Sequence, residues 1–523
     1  MFRQLIVLVS LTLAITVNIS ECARILGIIP TASFSHQVVF RPVWNELAKR
    51  GHDVLVITTD PQNDPSIGIR EIDISSTAYK LWHDLEYIQR IERHKANPFM
   101  LIRHLKVSSS ILCDNELQHP EIQSLLNNQT EHFDLLMTEF FHPIMTAFSV
   151  RFNCPFIGIQ SMDFQNYYHG DSGNPTHPAA FPEIFSPFYG KLTFSERILS
   201  FLLNTLMYLN NLIPGGEDEV IKKHFGDDMP PMRDIMYNFS MMFLNVHPAF
   251  YARPMGPAFL SIGGGTHLTP VKSLPQDFKE FIEGAEHGVI YFSLGTNVNS
   301  ERIDPAKRQI FLDTFRELPQ RVLWKFDTTD MPNIPANIKI VDWAPQQDIL
   351  RHPNVKVFIT QGGVQSLEEA IFSHVPVVCI PIVADQEKNA KRAADKGIAI
   401  HLNYDELNKI TLKAAILEAI DNPKYKESAR EQAEISVDQP MTGIEKAIWW
   451  TEYVLRHKGA PHFRNPIIDL PYYQYYLLDV FGFLIASLLI SLWICRRAIR
   501  LVYSYLNRLL NPGVNKNIKI KKT

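Results

Sequence analysis

Between Phe358 and Ala370 an apolar, β-branched run enters Gln361-Gly362-Gly363, and a helical pattern starts directly after it. The spacing predicts a strand ending at the glycine pair. The helix behind it would turn its free N–H groups and positive dipole end towards a ligand, and a diphosphate can sit there without a lysine. Glu369 stands eight residues after Gln361. That is about two turns into the helix, a position from which a carboxylate can reach ribose hydroxyls. Trp343, at an earlier strand end, offers a flat face to a base. Asp385 and Gln386, after the next strand, offer acceptors and donors to sugar hydroxyls. Far upstream, His36 sits in Ser-Phe-Ser-His at a helix start, and imidazole is the side chain best suited to take a proton near pH 7. Taken singly, each residue has an ordinary structural reading: Trp343 as core, Asp385 and His36 as helix caps.

The elements that must position these residues form two alternating patterns. "RILGIIP", a helix over "SHQVVFRPVWNELAKRGH" and the strand "DVLVITT" make a βαβ opening, the start of a Rossmann-like sheet. No G-x-G-x-x-G accompanies it, which disfavours a dinucleotide site and a nicotinamide dehydrogenase. "FDLLMTEFF" and "CPFIGIQ" read as further strands. Apolar helices such as "RILSFLLNTLMYLNNLI" read as insertions around a greasy cleft, with plain core packing the alternative. A Pro/Gly-rich linker is expected at 251–287. "GVIYFSLGT", "RVLWKF", "NIKIVDW", "VKVFIT", "VPVVCIPI" and "GIAIHL" then give a second parallel sheet. The expected fold is α/β, with Rossmann-like domains at 24–250 and 288–460 facing each other across a cleft at their strand ends.

Both termini carry membrane signals. Residues 1–23 have the layout of a secretory signal peptide. Leu477 to Cys495 is an apolar run of roughly 19 residues, enough to span a bilayer. It follows a tyrosine-rich juxtamembrane segment, 461–476, and precedes a basic tail, 496–523, containing no Asp or Glu. The positive-inside rule puts that tail in the cytosol and the large domains in the lumen, a single-pass type I arrangement. Lys519 and Lys521 resemble a dilysine retrieval signal, which points to the endoplasmic reticulum membrane. Asn128 and Asn238 open glycosylation sequons in the lumenal part, while a third sequon at Asn18 would leave with the signal. The net charge of -4 gives no support for nucleic-acid binding. Cys113, Cys154 and Cys379 form no disulfide framework, and no metal-ligand spacing is present. Cys495, beside the membrane, is a candidate for acylation, with packing the plainer reading.

The block from Trp343 to Arg392 resembles the signature of UDP-glycosyltransferases, including UDP-glucuronosyltransferases. So do "SFSHQVVFRPVWNELAKRGHDVLVIT", "FSLGT", "VLWKFD", "DQP" at Asp438 and "EYVLRHKGAPHFR". The match runs along nearly the whole chain, and its Gln-Gly-Gly form is most like the arthropod and insect-virus branch. The resemblance implies the GT-B fold, with a UDP-sugar co-substrate and no cofactor. It assigns uracil stacking to Trp343, a nucleoside contact to Gln346, and ribose to Glu369. Diphosphate falls to Gln361, Gly363 and the turn at Thr296, with Gln365 near the phosphates and sugar hydroxyls at Asp385 and Gln386. His36 becomes the general base and Glu139 its carboxylate partner, where the family usually has Asp; Asp134 is the weaker substitute. Many members also have His at Gln361.

The expected reaction is inverting transfer of a hexose from a UDP-sugar to a hydroxyl of a small lipophilic acceptor. Glucose is favoured; a glucuronate donor would want a cation near Asp385 and Gln386, and Lys388 is the candidate. "AYKLWHDLEYIQRIERHKANPFMLIRHL" is expected to line the acceptor pocket, and "TGIEKAIWWTEYVLRHK" to cross back and brace the first domain. A non-catalytic, membrane-anchored binding protein for lipophilic ligands is the alternative, and a homo-oligomer stays open.

Overall fold

The computed structural model describes residues 22–85, 98–297, 300–328, 331 and 333–510. The expected signal peptide up to residue 21, the Asn18 sequon and the end of the tail with Lys519 and Lys521 lie outside the described residues. So does the middle of the expected acceptor segment, 86–97. The chain divides into two compact units, 1–464 and 465–523.

The first unit holds two parallel sheets. β1 (Arg24–Ile29), β2 (Asp53–Thr58), β3 (Arg70–Asp73), β4 (Leu135–Glu139), β5 (Phe156–Gln160), β6 (Met241–Leu244) and β7 (Phe259–Ser261) form a sheet in the order 3-2-1-4-5-6-7. β8 (Val289–Ser293), β9 (Arg321–Lys325), β10 (Ile338–Val341), β11 (Val355–Thr360), β12 (Val377–Cys379) and β13 (Ala399–His401) form the second, in the order 10-9-8-11-12-13. Their central strands are nearly all apolar because helices cover both faces. One face of the second sheet buries Phe292, Trp324, Phe311 and Phe315; another core joins Tyr291, Phe358, Leu367 and Ala390. Both orders reverse direction beside the first strand of the sheet, β1 against β4 and β8 against β11, and such switch points open crevices at the strand ends.

Three expectations change, and a fourth holds. The single helix over His36 to Gly51 is two, Phe34–Val38 and Arg41–Lys49. Pro42 has no N–H to continue the first helix, and its ring would crowd the carbonyl four residues back. The stretch 251–287 is more than a linker: its β7 pairs with β6, Met242 opposite Phe259, and its helix Gln276–Glu283 buries Phe278 and Ile282 in the second core. The helix Gly443–Arg456, inside the stretch assigned to the second domain, puts Ala447, Ile448 and Val454 into the first core beside Val43, Trp44 and Leu47, so it braces the first half as expected. The apolar helix Phe194–Asn211 turns none of its apolar side chains into a cavity, and most of the large ones are exposed.

In the second unit the membrane-span candidate is a helix of 33 residues, Leu478–Leu510. It contains nearly all of the expected span and continues past Arg496, Arg497 and Arg500, so the tail starts as helix. At about 1.5 Å per residue it is ~50 Å long, more than the ~30 Å hydrocarbon layer requires.

Gly443 tests the brace. A Cβ there would run into the Ile262 carbonyl and the Thr266 hydroxyl, both fixed where the chain leaves β7. Gly443→Ala is expected to cost about 1–3 kcal/mol of stability, the usual range for overpacking. An unchanged unfolding midpoint would show that the helix does not seat there.

Candidate functional site

The first half builds its part of the site at the switch point of the first sheet. β1 and β4 lie side by side with Ile28 opposite Thr138, so Thr31 and Glu139 emerge as neighbours. The chain then turns into the short helix carrying His36. Gln37 fixes that turn, because its amide donates to the Ile29 carbonyl at 3.0 Å, the Thr31 carbonyl at 3.1 Å and the Thr59 hydroxyl at 2.8 Å. The Glu139 carboxylate, fully buried, has both oxygens engaged: Oε1 meets His36 Nδ1, and Oε2 accepts from Thr31 Oγ1. The extra methylene of Glu thus reaches the ring. Asp134 takes no part, since it accepts from the Arg24 backbone N–H at the far end of β4. Burial would raise the Glu139 pKa, but the charge and hydrogen bond of His36 outweigh it and hold the carboxyl below its ordinary range. Nearby His142 is also buried, bonded through Nδ1 to Ser109 Oγ at 2.8 Å, and burial drives it down to about 4.

His36 opens onto a cavity of about 690 Å³ lined from both halves. Thr31, Phe34 and His36 stand on one side. Thr296, Trp343, Gln346, Gln361, Gly363, Gln365, Glu369, Asp385 and Gln386 stand on the other. The halves touch at the rim: Ser33 Oγ donates to Asn297 Oδ1 at 2.7 Å, and the Phe34 ring meets Trp343 edge-on at 5.3 Å. Trp343 is 54% exposed, an open platform rather than core. The helix Val364–Phe372 begins at Gly363 without a side-chain cap, which leaves its first amides for a ligand. Of the expected residues, Gly362 and Glu139 do not line the cavity. Gly362, at φ +89°, turns away; a Cβ would stand 3.3 Å from the Gln386 carbonyl, so the glycine permits that close approach.

Hydrogen bonds limit what each side chain can offer. The Gln386 side-chain oxygen Oε1 accepts the N–H groups of Ile382 and Val383, both at 2.9 Å, which leaves only its NH₂ for a sugar. Asp385 does not cap the helix that follows. Its Oδ2 instead accepts from Asn389 at 2.7 Å, and burial raises its pKa despite that bond. Gln365 donates to the Ser161 carbonyl at 3.1 Å across the cleft. Lys388 does not line the cavity. Its ammonium donates to the Pro182 carbonyl at 2.7 Å, and burial, with Arg392 nearby, lowers it to about 8. A different lysine, Lys325 at the end of β9, lines the cavity beside Thr296 and bonds the Gly295 carbonyl and Asp327. Sequence reasoning passed over it, although a lysine ending a buried strand was the available signal.

Glu369 is held by three partners. Gln346 donates to Oε2 at 2.6 Å and Gln347 to Oε1 at 3.1 Å. His267 is fully buried, with ring nitrogens 3.4 Å from Glu368 and Glu369. Burial alone would lower His267, but the two carboxylates reverse that and hold it up at about 10. Because this lies above the unfolded value of 6.5, the group's contribution is complete below pH 6.5 and lost as pH rises through 10. Wild type should therefore lose stability over that window. His267→Gln should be clearly less stable than wild type at pH 6, with the gap narrowing by pH 10, as thermal unfolding at both pH values would show. A gap independent of pH would mean the ring is neutral in the folded protein.

The model of the family described as "UDP-glucoronosyl and UDP-glucosyl transferase" matches residues 24–510. "UDP-glycosyltransferase UGT5" of Dactylopius coccus is 34% identical over 517 residues, covering 96% of each chain. "UDP-glucosyltransferase 2" of the same organism is 32% identical over 483 residues, 91% of this chain and 92% of its own. Among solved structures, CalG4, the calicheamicin glycosyltransferase, superposes with a TM-score of 0.54 at 16% identity, over 84% of this chain and 99% of its own, which shows the GT-B fold. The chain belongs to the UDP-glucuronosyl and UDP-glucosyl transferase family.

Proposed function

We propose that this UDP-glycosyltransferase moves glucose, rather than glucuronate, from UDP onto a hydroxyl of a small lipophilic acceptor, with His36 as general base. The observation that carries this reading is the buried Glu139 carboxylate on His36 Nδ1, directly behind a cavity shared with the Trp343 platform and the Gly363 turn. With Nδ1 committed to Glu139, Nε2 is the nitrogen left to take a proton.

Trp343 stacks the uracil, and Glu369 with Gln346 holds the ribose. The diphosphate lies over the first turn of Val364–Phe372, near Thr296, Gln361 and Lys325. The acceptor oxygen gives its proton to His36 as it bonds the anomeric carbon. The bond from that carbon to the phosphate oxygen breaks on the opposite face, and UDP departs with the electron pair. Glu139 stabilises the imidazolium, while the helix dipole and Lys325 stabilise the leaving charge. Holding both substrates in one cavity supplies proximity.

Two features support the donor and acceptor classes. Lys388, the candidate cation beside Asp385 and Gln386, does not line the cavity and spends its ammonium on the Pro182 carbonyl rather than offering it to a glucuronate carboxylate. The acceptor side is walled by Ile67, Trp82, Leu105, Phe141, Met162 and Phe185; Trp82 and Leu105 come from the expected acceptor segment. The helix Leu478–Leu510 anchors the enzyme in the endoplasmic reticulum membrane, with the catalytic unit lumenal and N-glycans on Asn128 and Asn238, both exposed.

Microsomes carrying the full chain should glycosylate phenols and other lipophilic alcohols with UDP-glucose in clear preference to UDP-glucuronate. His36→Ala and Glu139→Gln should each lower kcat by about 10²–10⁴-fold, the usual worth of general base catalysis. Thr31→Val should cost about tenfold in kcat, as expected for one hydrogen bond to a charged group, and leave KM for the donor unchanged. Trp343→Ala should instead raise donor KM about ten- to hundred-fold, the worth of a base stack. UDP binding without turnover for any pair would favour the binding-protein reading.

A further inference from the structure

Beside the acceptor wall lies a second, smaller cavity of about 60 Å³. Leu105 and Phe141 line both cavities, so these two side chains are a common wall. The Phe141 ring also meets His36 edge-on at 6.0 Å, which puts the small chamber behind a neighbour of the proposed base. The chamber is polar where the acceptor wall is apolar, and two of its side-chain amides have nothing to bond. Gln165 is 8% exposed and precedes the helix Asn166–Asp171 without capping it; its side chain makes no hydrogen bond among the described residues. Asn210 has no exposed surface, and neither its Oδ1 nor its Nδ2 has a partner among the described residues. Buried polar side chains nearly always have partners, so two unpartnered amides in one chamber point to a ligand that completes them.

The charged groups of the chamber say what kind of ligand fits. Lys106 and Glu217 both line it, 3.5 Å apart. Lys106 also donates to the Asn211 and Ile213 carbonyls at 3.1 and 2.7 Å, and Glu217 accepts the Gly215 N–H at 2.6 Å. These charges cancel and are already committed, so an ion gains nothing there. A carboxamide both donates and accepts, which matches a neutral hydroxyl or carbonyl. One water needs at least ~10–15 Å³ of such space, so the chamber has room for a short end group and not for a second ring.

We propose that this chamber is a second acceptor subsite: the lipophilic acceptor carries another hydroxyl or carbonyl at the end far from its reacting oxygen, and that group passes between Leu105 and Phe141 to bond Gln165 and Asn210. The inference rests on the reading of the large cavity as the acceptor site and of His36 as its base. It narrows the acceptor from any lipophilic alcohol to one with polar groups at both ends. An acceptor whose far end is hydrocarbon leaves both amides unpaired against it, which is how a polar site rejects an analogue lacking the matching group.

Paired acceptors test this in microsomes carrying the full chain, with UDP-glucose as donor. Each pair is a para-alkylphenol and the phenol of equal chain length that ends in a hydroxyl, over a graded series of lengths, and transfer to the phenol oxygen is counted. While the chain end stays in the apolar cavity, the alkyl member should have the higher kcat/KM. At the length that brings the end into the chamber the order should reverse, favouring the hydroxyl about three- to tenfold, the worth of a neutral hydrogen bond. That reversal should be lost in Gln165→Leu, in Asn210→Leu or in both; neither amide has a partner to strand, so both variants are expected to fold. An alkyl member preferred at every length, with turnover that His36→Ala abolishes, overturns the inference and leaves the parent reading standing. A reversal that survives both substitutions also overturns it, because the polar end is then bound elsewhere. Absence of His36-dependent turnover with every pair overturns both.

Discussion

Glu139 has no exposed surface, and the mouth of the first sheet is organised around keeping its carboxylate charged. An ion this deep is tolerable only when paired and hydrogen-bonded; deleting one partner of such a pair typically costs about 3–5 kcal/mol. His36 takes one oxygen and Thr31 the other. Sheet topology supplies both partners, because β1 and β4 are neighbours although a long stretch of chain, from Ile29 to Leu135, runs between them. Gln37 then fixes the turn after β1 by bonding two of its carbonyls. The His36 imidazole is thus oriented by backbone and buried hydrogen bonds before any substrate arrives, the condition that the proposed role as proton acceptor requires.

The second half is organised by a different constraint, the placing of amides and one carboxylate around a phosphate-bearing ligand. The Gly362 turn is tight because the helix Gln386–Asp395 presses against it. Gln386 spends its side-chain oxygen on the turn before its own helix. Glu369 is oriented by Gln346 and Gln347, and it lies 3.4 Å from the His267 ring, whose pKa it raises together with Glu368. The charges on this side are thus held in place by their neighbours, Glu369 by Gln346 and Gln347 and Lys325 by the Gly295 carbonyl and Asp327.

Much of this was legible in the chain because strand and glycine signals are local. The central strands of both sheets, the Gly362 turn and the residues around it follow from runs of β-branched residues and their spacing. The misses are non-local. β7 has only three residues inside a Pro/Gly-rich passage, and pairing with β6 rather than propensity makes it a strand. Thr31 and Gln37 were not singled out, since only the fold brings them to Glu139 and the β1 carbonyls. Lys388 is the candidate cation for a glucuronate donor by sequence proximity alone, but its helix turns it towards Pro182. Phe194–Asn211 was read as facing a cleft because apolar periodicity tells which residues share a face and not what that face meets.

The proposed chemistry is direct displacement by an oxygen that His36 deprotonates, on the face opposite the departing UDP. The measurement that tests this most directly is the anomeric configuration of the first product, read from the proton coupling at the sugar's anomeric position. Starting from α-linked UDP-glucose, a single displacement gives the β-glucoside with its large diaxial coupling. An α-glucoside would mean either a second displacement or attack on the same face as the departing UDP, and would contradict direct displacement by an oxygen that His36 deprotonates.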